Sequence, residues 1–181
     1  MPAALLTIFL KQALVMRENM GDRYHIFDGY EVMEKLNKHM SRQKLSGYQF
    51  ATCCYCLLNT KAMQLTFSRA GHPYPVLIQK GRDPEQLQIT GSLLGIFAQA
   101  EYTQHTVQLQ PGDKFMIYSD GAEPFIGYFD EKQGFTYHQE FLDIIEMPIV
   151  KMMDSFNDIA QNKEIQASEI DDITAIGFEV L

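Results

Sequence analysis

Lys114 to Pro124 reads KFMIYSDGAEP, a strongly apolar strand that stops at Ser119-Asp120-Gly121. An Asp at the end of a buried strand stands at the edge of its sheet, and a Gly directly after it lets the backbone turn and a ligand come close. Asp120 is therefore a candidate metal ligand. It is equally a candidate turn or cap residue, because Asp-Gly is ordinary turn chemistry. Ile170-Asp171-Asp172-Ile173-Thr174 is a second such place, with two adjacent carboxylates opening an apolar last strand. Neighbouring side chains of a strand point to opposite faces, so one of the two readily faces a given site. Carboxylates from two separate strand ends suit a hard cation such as Mg²⁺ or Mn²⁺, which takes oxygen ligands.

Outward from this strand, the middle of the chain is a run of short alternating or β-branched segments. Ala51 to Leu58, Gln64 to Arg69, Val76 to Gln79 and Tyr102 to Leu109 read as strands, separated by turns such as Gly71-His72-Pro73 and Pro111-Gly112-Asp113. Ile173 to Val180 closes the series. Helical spacing predicts an amphipathic helix over Ala3 to Met20, and a second from about Gly29 to Met40 behind an Asp28 cap. His138 to Lys163 returns to helical spacing, interrupted by Pro148. Helices, meandering strands, helices and one last strand predict an α+β layered sandwich and exclude a βαβ nucleotide fold. No linker or internal repeat divides the chain, so residues 1–181 are expected to form a single domain.

The 181 residues are 46% hydrophobic and carry a formal net charge of -8, a balance that argues against nucleic acid or an anionic membrane as partner. The first apolar stretch, Met1 to Leu10, is too short to span a bilayer and lacks the form of a signal peptide. Cys53, Cys54 and Cys56 form one odd cluster, which makes neither a disulfide framework nor a closed zinc site. On a strand Cys54 and Cys56 share a face and Cys53 takes the other, and all three read as small buried hydrophobes. His25, His39, His105 and His138 show no metal-ligand spacing. The ten methionines read as packing residues.

Five segments in order carry more than any one of them: Ser68-Arg69-Ala70-Gly71-His72-Pro73, Gly91-Ser92-Leu93-Leu94-Gly95, Leu109-Gln110-Pro111-Gly112-Asp113, Tyr118-Ser119-Asp120-Gly121 and Asp171-Asp172-Ile173-Thr174. Together they closely resemble the bacterial SpoIIE-type phosphatases of the metal-dependent PPM class, whose pattern runs AGHP, a short LG segment, L-x-x-GD, Y-[ST]-DG and DD-[IM]-T. The resemblance spans roughly Phe67 to the C-terminus. It implies a PPM-type α-β-β-α sandwich and hydrolysis of phosphoserine or phosphothreonine by metal-activated water. It further implies Asp120 and Asp171 as ligands of one Mn²⁺ or Mg²⁺, Asp172 as a supporting or substitute ligand, and Gly121 as the residue that allows close approach. Gly71, His72 and Pro73 are implied to be a structural turn rather than acid/base machinery. The implied partner is a phosphorylated anti-sigma-factor antagonist, and the implied location the cytoplasm.

In the resembling family a strand ending in D-x-x-G-H-G precedes a helix that begins much as Met1-Pro2-Ala3-Ala4-Leu5-Leu6 does. That Asp bridges two metal ions in the family, and no such segment stands in these 181 residues. The expectation is that Met1 is an internal methionine of a longer product, so that the N-terminal strands of the fold are missing. A chain holding at most one ion weakly would have little or no phosphatase activity. The alternative is a non-catalytic pseudophosphatase that binds its partner, or that self-associates through the uncovered N-terminal helix.

Overall fold

The computed structural model describes residues 10–11, 14, 16–42, 50–132, 134–162 and 171–181, and the chain forms two compact units. One comprises residues 1–72 and 89–108, and the other residues 73–88 and 109–181.

In the first unit the strands fall close to where the sequence places them. β3 (Cys53–Asn59) and β4 (Gln64–Ala70) form an antiparallel hairpin, and β7 (Gln104–Gln108) pairs on the far side of β4. The hairpin turns because the Asn59 carboxamide oxygen accepts from the amides of Lys61 and Ala62, at 3.1 and 3.0 Å, and Met63 takes a left-handed φ of 53°. The helix α1 (Gly29–Arg42) buries Val32, Met33, Leu36 and Met40, the apolar positions whose helical spacing predicted it, and with them the polar Asn37. At its start the Glu31 carboxylate accepts from the Asp28 amide at 2.9 Å, half of a capping box. Met33, Leu36 and Met40 share a core with Ala70, Leu94 and Tyr102. Buried Asn37 pins the loop beyond Leu94, donating to the Phe97 carbonyl at 2.9 Å and accepting from the Gly95 amide at 2.8 Å.

The N-terminal segment departs from the expected single helix. Leu10 and Lys11 are helical, but Arg17–Met20 is a strand, β1, paired with β2 (Arg23–Ile26). Its physical cause is Gly21-Asp22: Gly21 holds φ at 72°, which suits a two-residue hairpin loop and ends any helix. Both strands are exposed throughout. Residues 1–9, 12, 13 and 15 lie outside the described residues, and with them the first part of the predicted N-terminal helix.

The second unit contains a four-stranded sheet of β5 (Val76–Ile78), β6 (Glu85–Gln86), β8 (Lys114–Tyr118) and β11 (Ala175–Glu179), in the order β11–β8–β5–β6. Short helices α2 (Glu123–Ile126) and α3 (Gln139–Leu142) flank a hairpin of β9 (Gly127–Asp130) and β10 (Gly134–Tyr137), and α4 runs from Ile149 to Asn162. The hairpin was not read from the sequence, whereas the break at Pro148 was. Val76, Ile78, Met116, Tyr118, Phe125, Phe141, Met152 and Phe156 make one buried cluster. The Leu109 to Asp113 segment is a turn in which Gly112 holds φ at 90°. The buried Asp113 carboxylate accepts from the Gln110 amide at 2.9 Å, and the Val180 amide donates to the Asp113 carbonyl at 2.9 Å. Among the described residues no helix is long and apolar enough to cross a membrane.

Candidate metal site

β8 and β11 are antiparallel with Tyr118 opposite Ala175, so the residues following β8 and those preceding β11 emerge at one end of the sheet. Asp120 and Gly121 follow the first strand, in a 3-10 turn over Asp120–Ala122. Asp171 and Asp172 precede the second. They stand outside the strand ladder, which begins at Ala175, so the opposite-facing rule expected for adjacent strand residues does not govern them.

Gly121 makes the closest approach. A Cβ built there would fall 2.4 Å from the Asp171 carbonyl oxygen and 2.8 Å from that of Asp172, distances no side chain tolerates. Ser119, whose role was not foreseen, fastens the same two segments. Its hydroxyl donates to the Asp172 carbonyl at 2.8 Å and accepts from the Thr174 amide at 2.9 Å, and its own amide donates to the Thr174 carbonyl at 2.8 Å. A small hydroxyl just before Asp-Gly was the available signal.

The carboxylates are oriented locally and face solvent. Asp120 accepts from the Gly121 amide at 3.0 Å and Asp171 from the Asp172 amide at 2.9 Å. Asp120, Asp171 and Asp172 are all exposed, a setting in which charged carboxylates keep their hydration. Their hard oxygen donors fit Mg²⁺ or Mn²⁺ in kind. In number they fall short: among the described residues no group of three or more His, Cys, Asp or Glu side chains is placed to hold a metal.

Gly71 and His72 belong to the first unit, and with Pro73 the chain passes into the second. Gly71 holds φ at 65°, its amide donates to the Gly91 carbonyl at 2.9 Å, and an added Cβ would strike Leu93. The Arg69 guanidinium donates to the His72 carbonyl and, at 3.1 Å, to that of Ile89. The His72 ring lies 3.3 Å from the Thr52 hydroxyl. The AGHP and LG segments are thus tied to each other by a backbone bond and close packing.

Over residues 1–181 the chain matches the family described as Stage II sporulation protein E (SpoIIE). It belongs to that family. The SpoIIE family is one of PPM serine/threonine phosphatases, and a curated relative, phosphoserine phosphatase RsbU of Bacillus subtilis (strain 168), is 30% identical over 122 residues, 67% of this chain and 35% of RsbU. The chain therefore spans about a third of that relative's length. Among solved structures, the SiaA-PP2C domain of Pseudomonas aeruginosa superposes with a TM-score of 0.74 at 20% identity, covering 98% of this chain and 70% of that domain. RsbX, solved in complex with magnesium, superposes with a TM-score of 0.57 at 18% identity, covering 83% of this chain and 64% of RsbX. At these identities the structures establish the fold, the mixed α and β architecture of PP2C domains.

Proposed function

We propose that residues 1–181 are the C-terminal part of one PPM-type phosphatase domain, and that the end of the β8–β11 pair is part of its metal centre. Asp120 and Asp171 would ligate one Mn²⁺ or Mg²⁺, with Asp172 as support or substitute. The close approach of Gly121 to the Asp171–Asp172 backbone carries this reading, because it joins carboxylates that stand far apart in the chain. The substrate class is phosphoserine or phosphothreonine on a small cytoplasmic regulatory protein of the anti-sigma-factor antagonist type, in keeping with the SpoIIE family and its relative RsbU.

In this scheme Ser119 and Gly121 hold two chain segments at a fixed separation, and local amides orient Asp120 and Asp171 so that each carboxylate keeps an oxygen for the ion. The ion, when bound, supplies water of lowered pKa and charge stabilisation for the phosphoryl oxygens. The ligand set of the described residues is partial, so hydrolysis by these 181 residues alone is expected to be weak. The same shortfall of ligands favours a second reading, a non-catalytic domain that binds its phosphoprotein partner.

Hydrolysis of p-nitrophenyl phosphate with Mn²⁺, measured beside Mn²⁺ titration, tests both. The first reading expects weak Mn²⁺ binding by the wild-type chain that Asp120→Asn and Asp171→Asn each remove, with residual hydrolysis falling in step. Mn²⁺ binding indifferent to both substitutions would overturn the metal-site assignment. Binding without any hydrolysis, in this chain and in one extended upstream, would establish the non-catalytic reading.

A further inference from the structure

β11 is the last strand of its sheet, in the order β11–β8–β5–β6, so one of its sides pairs with β8 and, among the described residues, no strand lies on the other. Which backbone groups face that open side follows from the bonds that flank the strand. The Thr174 carbonyl accepts from the Ser119 amide at 2.8 Å, and the Val180 amide donates to the Asp113 carbonyl at 2.9 Å. The even-numbered residues between them therefore turn their N–H and C=O groups toward β8. Ala175, Gly177 and Glu179 turn theirs outward. Natural sheets blunt such an edge with lysine, proline or a bulge. β11 has none of these: its sequence is AIGFE, and its register with β8 runs unbroken from Ala175 to Glu179. Its one charged side chain, Glu179, is engaged by the Ile149 amide. Ile176, in mid-strand, is 65% exposed, an apolar side chain standing beside unpaired backbone.

The strand is complementary to itself. When two copies of β11 lie antiparallel about a two-fold axis at Gly177, Gly177 faces Gly177 and Ala175 faces Glu179. Outward residues then meet only outward residues, so each of these pairs can exchange its N–H and C=O bonds. Ile176 falls opposite Phe178 of the second copy in the non-hydrogen-bonded pairs, where side chains stand closest and apolar pairs contribute most. Charge permits the same register, because Glu179 lies opposite Ala175 and no like charges meet. The other face of the strand is already closed by α4, where a Cβ added to Gly177 would fall 2.9 Å from Ile149. A two-fold contact of this kind uses one patch twice and closes at two copies.

We infer that β11 pairs with β11 of a second copy of this chain, antiparallel about Gly177, so that two four-stranded sheets join into one. Strands of 5 residues make a small contact, and the dimer is expected to depend on concentration. Sedimentation equilibrium of the 181-residue chain from about 1 μM to about 1 mM covers the affinities of small interfaces and should show monomer passing to dimer. Amide exchange over the same range locates the contact. The amides of Ala175, Gly177 and Glu179 should slow by about tenfold at the upper end, while those of Ile176 and Phe178, already bonded to β8, should not change. Ile176→Lys sets a charge against Phe178 of the second copy, and Ala175→Pro removes an outward N–H at the first residue of an edge strand, where proline is tolerated. Each should weaken association by about tenfold or more, and thermal melting separates that loss from unfolding. A chain that stays monomeric throughout would overturn the inference and leave the edge to a strand of another protein. A dimer whose formation leaves exchange at Ala175, Gly177 and Glu179 unchanged is built on another surface and would overturn it as well.

Discussion

Two residues, Ser119 and Gly121, hold the candidate site together, and each fails in a different way when changed. Replacing Ser119 by Ala deletes a donor to the Asp172 carbonyl and an acceptor for the Thr174 amide, and a net loss of about 1–2 kcal/mol is expected. Gly121→Ala instead adds a Cβ where the Asp171 carbonyl already sits, so residues 171–172 must move. Urea denaturation and Mn²⁺ titration distinguish the two. Ser119→Ala should cost stability with modest change in affinity, whereas Gly121→Ala should lose ion binding even where the fold survives. Retained affinity in Gly121→Ala would show that the carboxylates do not depend on this close approach. At this scale an ordered set of short motifs pointed to Asp120, Gly121 and Asp171, and the fold brings Gly121 against the backbone of Asp171 and Asp172. Ser119 offered a small hydroxyl just before Asp-Gly, but its partners, two backbone groups far along the chain, could not be read from that motif.

Among the elements, periodicity identified those that bury a face. The helix α1 and the strands β3, β4 and β8 lie within a residue or two of where their apolar spacing placed them, since burial is what the spacing records. The hairpin β1–β2 was missed for the complementary reason, whereas β9–β10, whose Phe135 and Tyr137 pack against the buried cluster, has strands of four residues each, too short to show a period. β1 and β2 are exposed along their whole length, so no alternation of apolar and polar residues marks them, and only Gly21 betrays the turn. The helix α4 raises a separate question of how its N-terminus is satisfied. Pro148 precedes it, and the Ile149 amide donates to the Glu179 carboxylate at 2.9 Å, across from β11. That bond acts as a cap supplied by another element. Glu179→Ala is expected to cost about 1 kcal/mol, with the loss read as a lowered urea midpoint and reduced amide-exchange protection in the first turn of α4. Unchanged protection there would remove Glu179 from the cap.

For the molecule as a whole, alkaline stability should bear the mark of one half-buried thiol. Burial, with the nearby Cys54, pushes Cys53 up from 9.0 to about 11. The unfolded chain therefore loses this proton first as pH rises, and above pH 9 it binds fewer protons than the native state. Stability is then intact below about pH 9 and falls between about pH 9 and 11, by up to about 2–3 kcal/mol for a shift of this size. Urea midpoints of the wild-type chain and Cys53→Ala across that range provide the measurement, the variant being expected to show the shallower decline. Equal slopes would mean that other groups, such as Tyr102 with its phenol raised to about 12 by burial, account for the alkaline loss.

The bonds between Ser119 and residues 172 and 174 also bear on the order in which the structure forms. They close loops of 53 and 55 residues, and loop closure becomes entropically harder with length. The hairpins β3–β4 and β9–β10 close over only a few residues and form in microseconds. The junction of Ser119 with residues 172 and 174 is accordingly expected to form late in folding, after the short hairpins. A protease that meets a partly folded chain would meet it before the site exists.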